Sequence, residues 1–150
     1  MTKVLMVCLG NICRSPLAEG ILKYKLKNTE IEVASAGTAA YHIGKSPDHR
    51  SINVAASKGI DISGQQATQF KVNDFDTYSH IFAMDQNNYK DLLSKARTSK
   101  DKSKVALLIQ NEEVPDPYYG EQSDFENVFH LIDKACNELL KKFNHGELLK

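Results

Sequence analysis

The stretch Val4-Leu5-Met6-Val7-Cys8-Leu9-Gly10-Asn11-Ile12-Cys13-Arg14-Ser15-Pro16 decides how this chain is read. Residues 4–8 form a continuous apolar run, the pattern of a strand buried on both faces, as in a parallel sheet. Ser15-Pro16 opens a helix, because proline in a first turn lacks an N–H that would have no partner there anyway. The chain therefore turns from strand to helix over only a few residues. Such a turn exposes successive backbone N–H groups, and the helix N-terminus adds partial positive charge, so the turn is a cradle for an anion. Gly10 and Asn11 are the residue types that most readily adopt left-handed backbone angles in it. Arg14 brings a planar fork that can hold two phosphate oxygens at once. Cys8 stands beside Arg14 and the helix N-terminus, surroundings that favour a thiolate, and a thiolate facing bound phosphorus is a nucleophile.

Outward from this turn, strand and helix patterns alternate. Leu17, Ile21 and Tyr24 recur at helical spacing with Ala18, Leu22 and Leu26 beside them, which predicts an apolar helix face. A short strand is expected over 31–36, stopped by Gly37. Ser46-Pro47-Asp48 starts a second helix, capped at Ser46, carrying Ile52, Ala55 and Ala56 and ended by Gly59. Residues 80–84 read as a strand, and Asp85 caps a helix whose apolar side is Tyr89, Leu92, Leu93 and Ala96. The charged, Ser/Thr-rich stretch 97–104 reads as a solvated loop, and 105–109 as a fourth strand. Ser123-Asp124-Phe125-Glu126 is a capping box before a last helix. Its apolar face is Phe125, Val128, Phe129, Ile132, Cys136, Leu139 and Phe143, which makes Cys136 a core residue. The alternation predicts one α/β domain over 1–150 with a parallel sheet. Ligands of such sheets sit outside the carboxyl ends of the strands, and the first strand ends at Cys8.

Composition narrows the function classes. A chain of 150 residues can bury roughly 68–70% of its unfolded surface and needs no disulfide or metal staple. Its 19 Lys+Arg balance 19 Asp+Glu, and zero net charge argues against nucleic acid as the partner. Three cysteines are an odd number, which favours reduced thiols and a cytoplasmic setting. Cys8 and Cys13 are spaced Cys-x4-Cys, and His42, His49, His80, His130 and His145 have no metal-ligand spacing, so neither metal nor cofactor is expected. No run reaches the ~18 apolar residues of a membrane span, and the apolar start is too short for a secretory signal, so no membrane partner is expected. Gly44-Lys45-Ser46 mimics the end of a nucleotide-binding loop, but the first glycine of that pattern falls on Ala39.

The Cys-x5-Arg-Ser spacing, extended as Val7-Cys8-Leu9-Gly10-Asn11-Ile12-Cys13-Arg14-Ser15-Pro16-Leu17-Ala18-Glu19, closely resembles the low-molecular-weight protein tyrosine phosphatase family. Ser35-Ala36-Gly37-Thr38, Ala83-Met84-Asp85 and Val114-Pro115-Asp116-Pro117-Tyr118-Tyr119 match in the same order, so the resemblance spans the chain. It implies a three-layer sandwich with a four-stranded parallel sheet of order 2-1-3-4, flanked by helices, with the phosphate-binding loop after strand 1. It implies that Cys8 attacks phosphorus and that Arg14 and the loop of Leu9, Gly10, Asn11, Ile12, Cys13 and Ser15 hold the phosphate oxygens. Ser15 is expected to hydrogen-bond the sulfur, Asn11 to tie the loop into shape with help from Ser35, and Asp116 to serve as general acid. Tyr118 and the neighbouring Tyr119 would flank the substrate ring, with Tyr118 as one wall. Tyr41 is the choice for the other wall, against the plainer reading of a loop aromatic that only packs. Cys13 is either a small buried residue or a second thiol that captures oxidised Cys8, and both can hold together. The expected partners are phosphotyrosine-containing proteins, with phosphate or another oxyanion in the site and the chain a monomer.

Three rival readings share these residues. A thiol-coupled arsenate reductase needs a further redox cysteine pair, and 76–95 contains no cysteine. The arginine-phosphatase branch carries threonine where Ile12 stands. A non-catalytic phosphate-binding module would have no need for nucleophile, arginine, serine and acid together.

Overall fold

The computed structural model describes residues 2–144; His145 lies outside the described residues. The elements run β1 (Lys3–Cys8), α1 (Arg14–Lys25), β2 (Glu32–Gly37), α2 (His49–Ser57), α3 (Asp74–Thr77), β3 (His80–Ala83), α4 (Gln86–Lys95), α5 (Ser99–Ser103), β4 (Val105–Leu107) and α6 (Gln122–Asn144). All strand pairs are parallel and the sheet order is β2-β1-β3-β4, as the resemblance implied. Alternation along β1 divides the interior. Val4, Met6 and Cys8 pack with Leu17, Ile21, Phe125 and Ile132 of α1 and α6 on one face. Leu5 and Val7 pack with Phe75, Ile81 and Leu92 of α3, β3 and α4 on the other. A central strand buried on both faces needs an unbroken apolar run, which is why 4–8 contains no polar residue.

Several boundaries differ from the sequence reading for definable reasons. Tyr24 is 51% exposed, because α1 is buried from Arg14 to Leu22 and emerges from the protein over its last turn, where Lys27 lies over the tyrosine ring. The cap of α2 is Asp48, whose carboxylate accepts the Arg50 N–H at 2.9 Å, and not Ser46. On that helix Val54 and Ala55 are buried while Ala56 faces outward. The capping box of α6 sits two residues early: Asp124 accepts the Glu121 N–H at 2.7 Å, and Ser123 is already helical. All seven apolar positions expected on α6 are buried, and burial pushes the Cys136 thiol up to about 12. The expected loop 97–104 contains α5, capped by Thr98 and braced by the Arg97 fork across Asp101 and Asp76. There the charges satisfy one another, and Asp101 is buried. Among the described residues no helix is long and apolar enough to cross a membrane.

Gly37 links this frame to the turn after β1. It pairs with Cys8 on the last rung of the β1–β2 ladder, and the strand continues as Thr38 and Ala39 donate to the carbonyls of Cys8 and Leu9, each at 2.9 Å. A Cβ at Gly37 would stand 2.8 Å from the Leu9 carbonyl oxygen and 3.1 Å from the Gly10 carbonyl carbon, both backbone atoms. Gly37→Ala is expected to lower stability by about 1–3 kcal/mol, the range for forcing an extra methyl into a packed site. Urea unfolding checks this, and an unchanged midpoint would show that the turn gives way freely.

Candidate active site

β1 delivers Cys8, buried, to the carboxyl edge of the sheet, and α1 starts six residues later at Arg14. The intervening turn closes because Asn11 takes φ +57, a left-handed angle that asparagine tolerates better than most residues. Its side chain then fixes the turn from inside. Nδ2 donates to Ser15 Oγ at 2.7 Å and to Ser35 Oγ at 3.0 Å, while Oδ1 accepts the Thr68 N–H at 3.0 Å. Ser35 in turn donates to Glu19 Oε1 at 2.7 Å, and Glu19 Oε2 pairs with Lys23, also at 2.7 Å.

This network orients a hydroxyl toward the sulfur. Ser15 Oγ already accepts from Asn11, so its own hydrogen is left for a neighbour. Cys8 Sγ lies at 3.0 Å and the Ala36 carbonyl oxygen at 3.5 Å, so the sulfur is the better-placed acceptor. A thiolate so placed receives a hydrogen bond that a thiol does not need.

Arg14 is buried at the first turn of α1. One amino group, Nη1, donates to Asp85 Oδ2 at 2.7 Å and to the Val114 carbonyl at 3.0 Å, and Nη2 lies 3.8 Å from Asp116 Oδ2. Burial pulls the guanidinium pKa down, but Cys8, the Asp85 hydrogen bond and the two aspartates together raise it above its ordinary value. The group therefore stays a cation although water cannot reach it. Asp85 serves two elements, since its Oδ1 accepts the Asn88 N–H at 2.8 Å and caps α4.

A cleft of about 140 Å³ opens over these groups, lined by Cys8, Leu9, Gly10, Ile12, Cys13, Arg14, Tyr41, His42, Asp116, Tyr118 and Tyr119. A wider groove of about 790 Å³ follows β4 and α6, but its lining, which includes Leu107, Leu131 and Leu139, contains no cysteine, serine, threonine or arginine. Asp116 sits at the rim of the smaller cleft, half-exposed, with Oδ1 accepting the Tyr118 N–H at 3.1 Å. Cys13 is buried in the floor, and burial, then the charges of Asp48 and Cys8, push its thiol far above the ordinary range. Two thiols of one cleft thus differ in surroundings, and Cys13 is held protonated.

The structure brings Cys8, Arg14, Ser15, Asn11, Ser35 and Asp116 into one constellation and places Tyr41, Tyr118 and Tyr119 around its mouth. The mouth also includes a residue to which the sequence assigns no role. Tyr41 lines the cleft but is 71% exposed, and His42, which also lines it, is half-buried. A Cβ at Gly10 would meet His42 Cδ2 at 2.9 Å, and the imidazole centroid is 6.3 Å from that of Tyr118. Tyr119 is almost fully exposed and meets Tyr118 edge-on, with centroids 5.0 Å apart.

The sequence assigns no role at the site to Glu19, His42, Arg50 or Thr68, and Asp85 figures in it as a helix cap and within the matching Ala83-Met84-Asp85 segment. Asp85 had a usable signal: it follows the third strand and so belongs at the same sheet edge as Cys8. Among the described residues no group of three or more His, Cys, Asp and Glu side chains is placed to hold a metal ion. Asn11→Ala would leave Ser15, Ser35 and the Thr68 N–H without their partner and keep a left-handed angle on alanine. The expected loss is on the order of 3 kcal/mol in stability by urea unfolding. Phosphate affinity by calorimetry should fall with it, and full retention of both would contradict the network's role.

The family model for low molecular weight phosphotyrosine protein phosphatase matches residues 3–147. The human low molecular weight phosphotyrosine protein phosphatase is 39% identical over 149 residues, covering 93% of this chain and 94% of that protein. Among solved structures, a protein tyrosine phosphatase from Entamoeba histolytica with Hepes in its active site superposes with TM-score 0.92 and 36% identity, covering 98% of this chain and 99% of that one. Vibrio vulnificus Wzb in complex with benzylphosphonate gives TM-score 0.87 and 34% identity, covering 94% of this chain and 98% of that one.

Proposed function

Because the chain belongs to the low molecular weight phosphotyrosine protein phosphatase family, we propose that it hydrolyses phosphotyrosine in proteins, and small aryl phosphates, through a phosphocysteine on Cys8. The observation that carries this reading is the convergence on one cleft of Cys8, the Ser15 hydroxyl at 3.0 Å from its sulfur, the buried Arg14 and the Asp116 carboxyl. The Cys8 thiolate attacks phosphorus, and the bond from phosphorus to the phenolic oxygen breaks. Phenols ionise near pH 10, so phenolate leaves poorly at neutral pH, and Asp116 delivers a proton to it as the bond breaks. Charge on the transferring phosphoryl group is met by Arg14 and by the N–H groups of the turn 9–15.

In the second half of the cycle Asp116, now a carboxylate, takes a proton from the attacking water. The sulfur–phosphorus bond breaks, inorganic phosphate leaves, and Ser15 donates to the departing thiolate. Asn11 and Ser35 keep the turn in shape throughout. Tyr118 forms one wall of the ring slot; His42 and Tyr41 face it, and Tyr119 extends the outer rim. Every group in this cycle comes from the chain, so it calls for no cofactor. The reading takes residues 1–150 as a single catalytic domain, acting as a cytoplasmic monomer on phosphoproteins and not on nucleic acid or membranes.

Cys13 fits the role of a protecting thiol. Peroxide converts the Cys8 thiolate to a sulfenic acid with release of hydroxide; attack by the Cys13 sulfur then forms a disulfide and releases water. The charge of Cys8 is among the causes that keep Cys13 protonated, and oxidation of Cys8 removes it.

Reduced protein is expected to hydrolyse p-nitrophenyl phosphate in the presence of EDTA, to be inhibited by vanadate, and to lose all turnover as Cys8→Ser. Absence of hydrolysis by the reduced wild-type chain would overturn the reading. Asp116→Ala should lower kcat/KM for phenyl phosphate by about 10²–10³-fold while inorganic phosphate binds nearly as before. Unchanged kinetics would remove Asp116 from the acid's role. Peroxide treatment should give a Cys8–Cys13 disulfide that dithiothreitol reverses, read by mass spectrometry of the digest. Equal recovery of Cys13→Ser after oxidation would count against protection.

A further inference from the structure

We propose that Arg50 is the positioning residue for the acid: it holds the backbone that follows Asp116 and thereby sets the aim of the Asp116 carboxyl. The inference rests on the reading of Asp116 as general acid and extends it to a residue remote from the reacting atoms.

Arg50 lies in the first turn of α2, outside the lining of the cleft. Its fork is first fixed by Asp48, with Nε donating to Oδ1 at 3.0 Å and Nη2 to Oδ2 at 2.9 Å. Held so, the guanidinium reaches across to the loop before α6. Nη1 donates to the Gly120 carbonyl and Nη2 to the Tyr118 carbonyl, each at 2.8 Å. Its flat face lies 4.3 Å from the ring centroid of Phe125, a fully buried residue at the start of α6. The Arg50 carbonyl closes the bracket by accepting from Gln122 Nε2 at 3.1 Å. A planar fork with donors in fixed directions can make these bonds together, which a lysine ammonium cannot.

Ahead of Tyr118 the loop is held by Arg14, which donates to the Val114 carbonyl at 3.0 Å and lies 3.8 Å from Asp116 Oδ2, and by the Val114 N–H, which donates to the Met84 carbonyl at 2.8 Å. From there on its neighbouring hydrogen bonds are internal: the Tyr118 N–H donates to Asp116 Oδ1 at 3.1 Å, and the Gly120 N–H to the Pro117 carbonyl at 2.8 Å. Among the described residues, Arg50 is the side chain that bonds the backbone of 115–121 from outside the loop and α6. A short path therefore runs from Arg50 to the Tyr118 carbonyl, and through the Tyr118 backbone to its N–H and Asp116. The same helix start also supports the phosphate loop. The Asp48 N–H donates to the Ile12 carbonyl at 2.8 Å, and Ser51 Oγ donates to the Cys13 carbonyl at 3.1 Å. Residues 48–51 are thus the common mount of the nucleophile loop and the acid loop. Acid and nucleophile must keep their separation to within a fraction of an ångström, and one shared mount supplies that.

Leaving-group dependence separates aiming from general support. Phenyl phosphate needs a proton on its departing oxygen, whereas 2,4-dinitrophenolate leaves readily as the anion. The ratio kcat/KM reports the steps up to and including cleavage of that bond, so it isolates the acid's first task from later hydrolysis of the phosphocysteine. In the full chain, Arg50→Gln should lower kcat/KM for phenyl phosphate about 10–100-fold and for 2,4-dinitrophenyl phosphate no more than about 3-fold. In an Asp116→Asn background the same change should have no further effect on phenyl phosphate, since Arg50 acts through a group already removed. Arg50→Lys keeps the cation beside Asp48 and loses the fork, and should show the same selective defect, which carries the test should the glutamine variant not fold. Equal losses on both esters, or a further loss in the Asp116→Asn background, would overturn the proposal and assign Arg50 to general support. A wild-type chain that cleaves neither ester, or an Asp116→Asn chain unimpaired on phenyl phosphate, would instead overturn the reading on which the proposal rests.

Discussion

Attack from Cys8 requires one thing above all: negative charge on a buried sulfur at the end of a central strand. Burial alone works against that charge, as the raised thiols of Cys13 and Cys136 illustrate. Around Cys8 stand the Ser15 hydroxyl at 3.0 Å, the Arg14 guanidinium and the first turn of α1. Asn11 donates to the same hydroxyl oxygen at 2.7 Å from a turn residue at a left-handed angle, which leaves the hydroxyl hydrogen available to the sulfur. Ser35 and Glu19 extend the arrangement to β2 and α1, so a loss at any link is felt at the sulfur.

Arg14 shows how global neutrality and local charge coexist. The chain has no net charge, yet a buried cation sits between Asp85 and Asp116 at the floor of a small cleft. The two aspartates differ in what else they do. Asp85 is bound at 2.7 Å and shared with the cap of α4, so it belongs to the scaffold. Asp116 is 3.8 Å from the same guanidinium and half-exposed, which leaves its carboxyl able to face a substrate oxygen. Preorganisation of this kind spares the protein from rearranging charged groups while the phosphoryl group transfers.

Much of this was legible from residue order. An apolar run, a turn carrying Gly10 and Asn11, and Ser15-Pro16 specify a strand, a tight turn and a helix, and sheet topology then places the turn at the ligand-binding edge. The clusters that were missed are those in which charges or amides close on one another across long sequence separations. The segment 97–104 looked solvated because nothing in its composition reveals that Arg97 will bridge Asp101 and Asp76. Tyr24 kept helical spacing yet lies beyond the packed part of its helix, and spacing carries no information on where a helix leaves the core. Arg50 and His42 escaped notice because their importance comes from partners about 70 residues away, Tyr118 above all. The roles expected of Cys8, Arg14 and Asp116 follow from a motif, whereas the shared mount at 48–51 follows only from the fold.

The central claim is that the phosphoryl group passes through the sulfur of Cys8, and rapid-quench mass spectrometry tests it most directly. Reduced protein mixed with a phosphotyrosine peptide and quenched in acid within its first turnovers should carry one phosphoryl group. Digestion should place that group on the peptide containing Cys8. Turnover with no phosphorylated protein, or with the phosphoryl group on any other residue, would contradict the account.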